Sequence, residues 1–389
     1  MKVLMVIPAL GNVYGGPTQV ILELAESIAK LGISVDIIAT HANGSTNLDV
    51  PLNEWIIQKY HRVQYFPYLD FLDYKFTGAM TKWLFKNVDN YDIVHTNAIF
   101  SYPVLAAHWA CQFRNIPYIA TPHGMMEPWA LAYKAWKKKL YFTLLEQPAL
   151  QKASSIQMLA STEAEGIKSL HLKPPLVIVP NGIHSTDFAS LPSPDIFYQQ
   201  FPETRNKILI IFLGRIDPKK GLDLLAPAFA KVHEKFTETH LIVAGPDNTG
   251  FLSTAESYFM EGGCRDAVTF TGMLRGDMKY AALAAANIYV APSYSEGFSM
   301  SVLEGMAAGL PCVITTGCNF PEAGMANAAS IVDIDANQIA DSLIEFLQDP
   351  IKAKATGDRA RQFILENYTW DSIASKMLSV YQDLISLEK

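Results

Sequence analysis

SYSEGFSMSVLEGMAAGLPCV, residues 293–313, sets two glutamates, Glu296 and Glu304, eight positions apart. The apolar run 287–292 just before it reads as a buried strand, and the stretch from about 299 to 308 reads as a short apolar helix. Gly309 and Pro311 close that helix in the usual way. Glu296 then falls in the turn between strand and helix, and Glu304 lies inside the helix. The first amides of a helix have no acceptor within it, so those of Phe298, Ser299, Met300 and Ser301 form an anion site. Two carboxylates beside such a site suit a ligand with both phosphates and hydroxyls, as in a nucleotide sugar. Taken singly, each glutamate is equally well explained by the helix dipole or by a solvated face. The pair gains meaning from the rest of the chain.

The chain has 389 residues, more than one hydrophobic core supports, so two domains are expected. Half of the residues are hydrophobic and 18% are charged, which fits large buried sheets. A net charge of −7 argues against a nucleic-acid binder, whose affinity rests on neutralising phosphates. Cys111, Cys264, Cys312 and Cys318 lack metal-ligand spacing and read as reduced, structural cysteines of a cytoplasmic protein. MKVLMVIPALG runs directly into a helical pattern without a small-residue cleavage site, and reads as a first strand rather than a leader. No apolar stretch reaches the roughly 18 residues of a membrane span.

Short apolar, β-branched runs recur at 2–7, 34–39, 92–95, 118–120, 155–159 and 177–179, with helical patterns between several of them, such as 18–31. After a polar, Pro-rich passage at 185–206 the pattern restarts at 207–213. It continues at 240–244, 267–270, 287–291, 312–314 and 330–332. Strands alternating with helices predict an α/β protein with parallel sheets wrapped by helices. The boundary is placed within 185–206, with a ligand cleft between two similar halves, outside the carboxyl ends of the strands.

Three more segments fall at such strand ends. LGRIDPKKGLDLL (213–225) puts Arg215 and Lys220 in a loop, read as exposed, ahead of a helix. There the planar fork of one and the point charge of the other can hold a diphosphate. PALGNVYGGPTQ (8–19) carries Gly15 and Gly16 where a backbone can approach a ligand closely at a helix start. Its spacing is not that of a dinucleotide fingerprint. IATPHGMMEPW (119–129) places His123 just after a strand.

GRIDPKKG, the two spaced glutamates, the GG turn, PHG at 122–124 and PNG at 180–182 stand in one order over nearly the whole chain. Together they resemble the retaining GT-B glycosyltransferases of family 4. The resemblance implies two Rossmann-like, doubly wound domains facing a cleft, 1–186 on the acceptor side and 187–370 binding the nucleotide sugar. It also implies a C-terminal helix at 371–389, within NYTWDSIASKMLSVYQDLI, that packs back on the first domain. By the same resemblance, Arg215 and Lys220 neutralise the donor diphosphate, Glu304 bonds the ribose, and Glu296 bonds the transferred sugar. The amides of Ser299, Met300 and Ser301, following Phe298, hold phosphate and sugar oxygens. Leu274 meets the base through its main chain, Gly15 and Gly16 approach the diphosphate, and His123 lies near the reacting carbon. Family members often carry Gly or Pro at the place of Ser299, and a second histidine within the segment held here by HTN (95–97). With two cations on the diphosphate, no divalent metal is required and no cofactor beyond the nucleotide sugar is expected.

WALAYKAWKKKLY (129–141) mixes Trp129, Tyr133, Trp136 and Tyr141 with four lysines. It suits either a helix lying on the cytoplasmic face of an anionic membrane or a surface helix packed by its tryptophans. On the first reading the saccharide acceptor is lipid-linked and the pathway builds a polysaccharide. Two other functions fit the same residues: an epimerase or hydrolase of nucleotide sugars, and a non-catalytic sugar-nucleotide-binding subunit.

Overall fold

The computed structural model describes residues 1–71, 74–126 and 139–387. Contacts divide the chain into two compact units, Met1–Gly182 with Trp370–Lys389, and Ile183–Thr369. The division falls a few residues before the polar passage because Ile183 already belongs to the second unit: its N–H donates to Tyr368 O at 2.9 Å.

The first unit is built on strands β1 (Lys2–Ala9), β2 (Ser34–Thr40), β3 (Trp55–Ile57), β4 (Arg62–Phe66), β5 (Ile93–Asn97), β6 (Tyr118–Thr121), β7 (Ser155–Met158) and β8 (Leu176–Ile178). Their order in the sheet is β8-β7-β6-β5-β1-β2-β4-β3, parallel except for the edge strand β3. Helices α1 (Gly16–Lys30), α2 (Gly78–Asn87) and α3 (Tyr102–Arg114) serve as crossovers. The parallel strands form a doubly wound sheet that reverses direction between β1 and β5.

The second unit repeats the plan with β9 (Ile208–Leu213), β10 (Thr239–Ala244), β11 (Val268–Gly272), β12 (Ile288–Ala291), β13 (Cys312–Thr315) and β14 (Ser330–Val332). All are parallel, in the order β11-β10-β9-β12-β13-β14. Its reversal lies between β9 and β12. Its helices include α4 (Leu222–Lys235), α5 (Leu252–Glu261), α6 (Gly276–Ala285), α7 (Met300–Ala307), α8 (Ala336–Gln348) and α9 (Pro350–Asn367). Two clusters of buried residues fill this unit, and strands such as β9, β10 and β12 are buried along almost their whole length. Burial on both faces explains why these strands read as continuous apolar runs.

Each apolar run named above forms a strand, while β3 and β4 have no counterpart among those runs. RVQYF escapes a search for apolar runs because Arg62 and Gln64 alternate with its apolar residues. Arg62 is held in place by its neighbour in register, the buried Asp36 of β2, through bonds of 2.8 and 2.6 Å. Tyr91 O–H donates to the same carboxylate at 2.8 Å. A bidentate guanidinium–carboxylate pair of this kind satisfies a charge that burial alone would penalise.

The last helix, α10 (Trp370–Leu387), packs along α1 within the first unit. Trp370 Nε1–H donates to Glu23 of α1. Tyr381 enters the interior, where its O–H donates to His95 Nδ1 at 2.6 Å. From there the donors run one way: His95 Nε2–H to Thr121 Oγ1 at 2.7 Å, Thr121 O–H to Gln157 Oε1 at 2.8 Å, Gln157 Nε2–H to Val179 O at 2.7 Å. One buried polar chain therefore links α10 to the residue just ahead of the PNG segment. It also fixes a single His95 tautomer. Burial pushes the His95 pKa down to about 3.

Candidate active site

In the second unit the site is assembled at the point where the winding reverses. The loop after β9 leads into α4, and the loop after β12 leads into α7. Gly221 allows the two loops to meet. Its φ is +73°, and a Cβ there would lie 2.0 Å from Pro292 O. The space excludes any Cβ there, and the left-handed backbone adds to the preference for glycine.

The second loop is held from several sides. Tyr294 N–H donates to Lys219 O at 2.8 Å, and Glu296 N–H to Gly317 O at 2.8 Å. Asn319 Nδ2 donates to Glu296 O. On this frame the Glu296 carboxylate accepts from Lys220 Nζ and, at 2.8 Å, from Ser293 O–H. The Lys220 and Glu296 side chains are only 12% and 9% exposed. Lys220 therefore departs from the expected exposed loop position, because it turns inward to neutralise a buried acid. Arg215 is exposed, and no carboxylate among the described residues lies within ion-pair distance of it. Lys219, to which the sequence motifs assign no role, is held by burial below the usual ammonium pKa. Glu296 opposes that shift, while Lys220 and Arg215 add to it.

Ser299 is the N-cap of α7 and makes no side-chain cap bond. Its hydroxyl lies 3.2 Å from Ser301 Oγ, which accepts from Tyr289 O–H at 2.9 Å. The first intrahelical bond is Leu303 N–H to Ser299 O. The amides of Met300 and Ser301 thus remain available at the positive end of the helix. Phe298 packs on Phe320 and stacks on Tyr368, which fixes the entry to the helix. Glu304, one turn into α7, pairs with Lys279 of α6 at 2.6 Å. Leu274, in the loop that leads to α6, packs against the core of this unit. Arg215, Lys220, Glu296, Phe298, Ser299, Met300, Ser301 and Glu304 thus all belong to the two loop–helix junctions of this switch point. The contributions of Ser293, Lys219 and Lys279 emerge only from the fold.

In the first unit Gly15 is the N-cap of α1, with φ +68°. A Cβ on Gly15 or Gly16 would meet nothing within 4 Å, so side-chain packing does not require glycine at Gly16. His123 follows β6 in a left-handed conformation, φ +53°. Its Nε2–H donates to Asn97 Oδ1 at 3.0 Å, and burial pushes its pKa down to about 4. The imidazole is therefore neutral at pH 7, with Nδ1 unprotonated. Gly124 N–H donates to Glu163 Oε1 at 2.8 Å, and Glu163 Oε2 accepts from Leu159 N–H at 2.7 Å. No sequence motif marks either Asn97 or Glu163 for these roles. His95, in the segment where the family places a second histidine, is fully buried in the polar chain described above. Most of the aromatic and lysine-rich segment, residues 129–138, lies outside the described residues. Among the described residues, no group of three His, Cys, Asp or Glu side chains is arranged to hold a metal ion. No described helix is long and apolar enough to cross a membrane.

Two doubly wound α/β units of this plan are the architecture of the GT-B glycosyltransferases. Solved structures agree in fold. Sucrose-phosphate synthase from Thermosynechococcus elongatus aligns over 100% of both chains with a TM-score of 0.77 at 21% identity. HepE of Anabaena, solved with UDP, aligns over 98% of this chain and 100% of its own, with a TM-score of 0.78 at 16% identity. The profile of glycosyltransferase family 4 matches residues 14–187, and that of glycosyl transferases group 1 matches residues 195–383. The chain belongs to the group 1/family 4 glycosyltransferases. It is similar to phosphatidyl-myo-inositol mannosyltransferase of Mycobacterium leprae, 25% identical over 98% of this chain and 96% of that protein. It is also similar to MMP alpha-(1->4)-mannosyltransferase of Mycolicibacterium hassiacum, 25% identical over 76% and 72% of the respective chains.

Proposed function

We propose that this glycosyltransferase moves a hexose from a nucleoside diphosphate sugar to a lipid-linked saccharide acceptor, with retention of anomeric configuration and without a divalent metal. The observation that carries the reading is the gathering of Lys220, Glu296 and the open amides of α7 at one strand reversal, with Arg215 at its rim. As the glycosidic bond breaks, negative charge builds on the leaving diphosphate. Preplaced cations and helix amides aimed at that charge stabilise the transition state electrostatically, commonly the main source of rate enhancement in such a site. Arg215 and Lys220 take the place of a metal in this scheme. Glu304 receives the ribose hydroxyls, and the Leu274 main chain meets the base.

Glu296 Oε1 is already engaged by Lys220 and Ser293, which favours accepting sugar hydroxyls over acting as a nucleophile. His123 offers an unprotonated Nδ1 to a hydroxyl of the transferred sugar, and Gly15 and Gly16 leave room for the diphosphate. A lipid-linked acceptor is supported by the phosphatidylinositol named for the M. leprae relative. Exposed Trp109, Phe113, Leu140 and Leu144 in the first unit, accompanied by Arg114 and Lys139, suit an anionic membrane surface.

The test is a thermal-stability screen of UDP- and GDP-sugars. A true donor at 100 times its Kd stabilises by about 2.7 kcal/mol, a shift of roughly 3 °C in a protein of 389 residues. If no nucleotide sugar stabilises the protein at millimolar concentration, the donor site is misassigned.

A further inference from the structure

We propose that Glu163 is a positioning residue for His123, acting through the amide of Gly124. The proposal rests on the role given to His123 above. His123 and Gly124 are consecutive left-handed residues, with φ +53° and +75°. Glycine adopts this conformation freely, whereas histidine tolerates it at some cost, so contacts from the surroundings help to hold the turn. The turn itself supplies one bond, Met125 N–H to Pro122 O at 3.2 Å.

The remaining constraints come from the neighbouring strand ends. On one side Glu163, only 1% exposed, receives Gly124 N–H on one oxygen and Leu159 N–H on the other. Leu159 directly follows β7, so the carboxylate ties the exits of β6 and β7 together. On the other side Asn97, the last residue of β5, accepts His123 Nε2–H. Asn97 Nδ2 donates to His95 O at 3.4 Å, which turns its Oδ1 towards the imidazole. The backbone of the His123 turn is thus set from β7 and its ring from β5.

A carboxylate has a specific advantage at position 163. It accepts strongly from two amides at once, whereas a glutamine would present an NH₂ group to one of them. With the turn fixed, Nε2 carries the proton towards Asn97 and Nδ1 faces away from it, unprotonated.

The experiment uses the full chain labelled with ¹⁵N-histidine. The His123 signal is assigned by its loss in His123→Ala, and Glu163→Gln is compared with the wild type. In the wild type, His123 should remain the Nε2–H tautomer from pH 8 to pH 5. In Glu163→Gln the turn relaxes, and His123 should show mixed tautomers and titrate nearer the ordinary imidazole value of about 6.5. Transfer from UDP-glucose or GDP-mannose, whichever stabilises the protein, should lose about tenfold in kcat with donor KM changed less than twofold. Should Glu163→Gln not fold, Glu163→Asp gives the same readout, because its shorter reach abandons one amide. A folded Glu163 variant with an unchanged His123 tautomer and titration overturns the positioning role. Full transfer by His123→Ala instead overturns the role of His123 and leaves the positioning geometry standing.

Discussion

Lys220→Ala and Arg215→Ala should behave alike in catalysis and differently in stability. Lys220 neutralises Glu296 in a pair whose side chains are 12% and 9% exposed. Removing one partner of a buried pair costs about 3–5 kcal/mol, because the other charge is stranded. Here the Ser293 hydroxyl still donates to the same carboxylate oxygen, which favours the low end, about 3 kcal/mol. In a protein of 389 residues each ~1 kcal/mol moves Tm by only about 1.2 °C, so Lys220→Ala should melt roughly 4 °C lower. Arg215 is exposed and unpaired among the described carboxylates, and its loss should cost within about 0.5 kcal/mol. Both variants should nevertheless lose about 10²-fold or more in kcat, since on the proposed reading each removes a group aimed at developing charge. Scanning calorimetry on Lys220→Met, Glu296→Gln and their double variant isolates the pair. The double variant should be more stable than the summed single effects predict by at least about 1 kcal/mol, because no charge is left stranded. A fully additive cycle, or a Lys220→Ala protein as stable as the wild type, would refute the buried pair. Near-normal turnover in either alanine variant would remove that residue from the diphosphate site.

Glu304→Ala should weaken calorimetric binding of the bare nucleotide about tenfold, whereas Glu296→Gln should leave it nearly intact and depress transfer; equal losses of nucleotide affinity would contradict the two roles. Transfer should persist in excess EDTA, and activity abolished by EDTA and restored by Mg²⁺ or Mn²⁺ would overturn the metal-free reading. Burial pushes His108 down to about 3, so the folded state keeps it neutral while the unfolded chain takes up a proton near pH 6.5. Its stabilising contribution is full above pH 6.5 and should fall by about 2 kcal/mol between pH 7 and pH 5. Wild-type stability should therefore drop by that much more than that of His108→Phe over this interval. Taking the difference between the proteins cancels the opposite trend of Glu146, whose buried carboxyl is raised to about 7. Parallel pH profiles would show that His108 is charged in the folded state.

The fold is legible in the sequence because its logic is local. Parallel strands buried on both faces must be apolar along their length, and such runs stand out between helical patterns. Among the strands that escape a search for apolar runs, Arg62–Phe66 is anchored by an acid on the adjacent strand, Asp36, a partner that RVQYF itself does not encode. The site divides along the same line. Glu296, Ser299 and Glu304 sit within one strand–turn–helix segment, whose amide geometry follows from its sequence. Lys279 lies 25 residues from the glutamate it pairs with, and Glu163 lies 39 from the glycine it holds. Such partners are chosen by the winding of the sheet, so no spacing in the sequence encodes them.

Backbone strain in the first unit is hidden from the sequence in the same way. Of the non-glycine residues with positive φ among those described, most are asparagine or histidine, which tolerate the left-handed region, and the exceptions are Ala98 and Phe100. Both stand in the loop leaving β5, directly after the asparagine that holds His123. Phe100 N–H is held at 2.7 Å by the buried carboxyl of Glu146. Neither alanine nor phenylalanine signals such a conformation, so nothing in this stretch forewarns of it. Unfavourable dihedrals persist only where the surroundings over-determine them, and they tend to gather at functional sites. Here they fall at the reversal of the first sheet, the counterpart of the place in the second where the cations and carboxylates gather. Two units wound alike thus concentrate their exceptional features at the same point of the topology, charge in one and strain in the other.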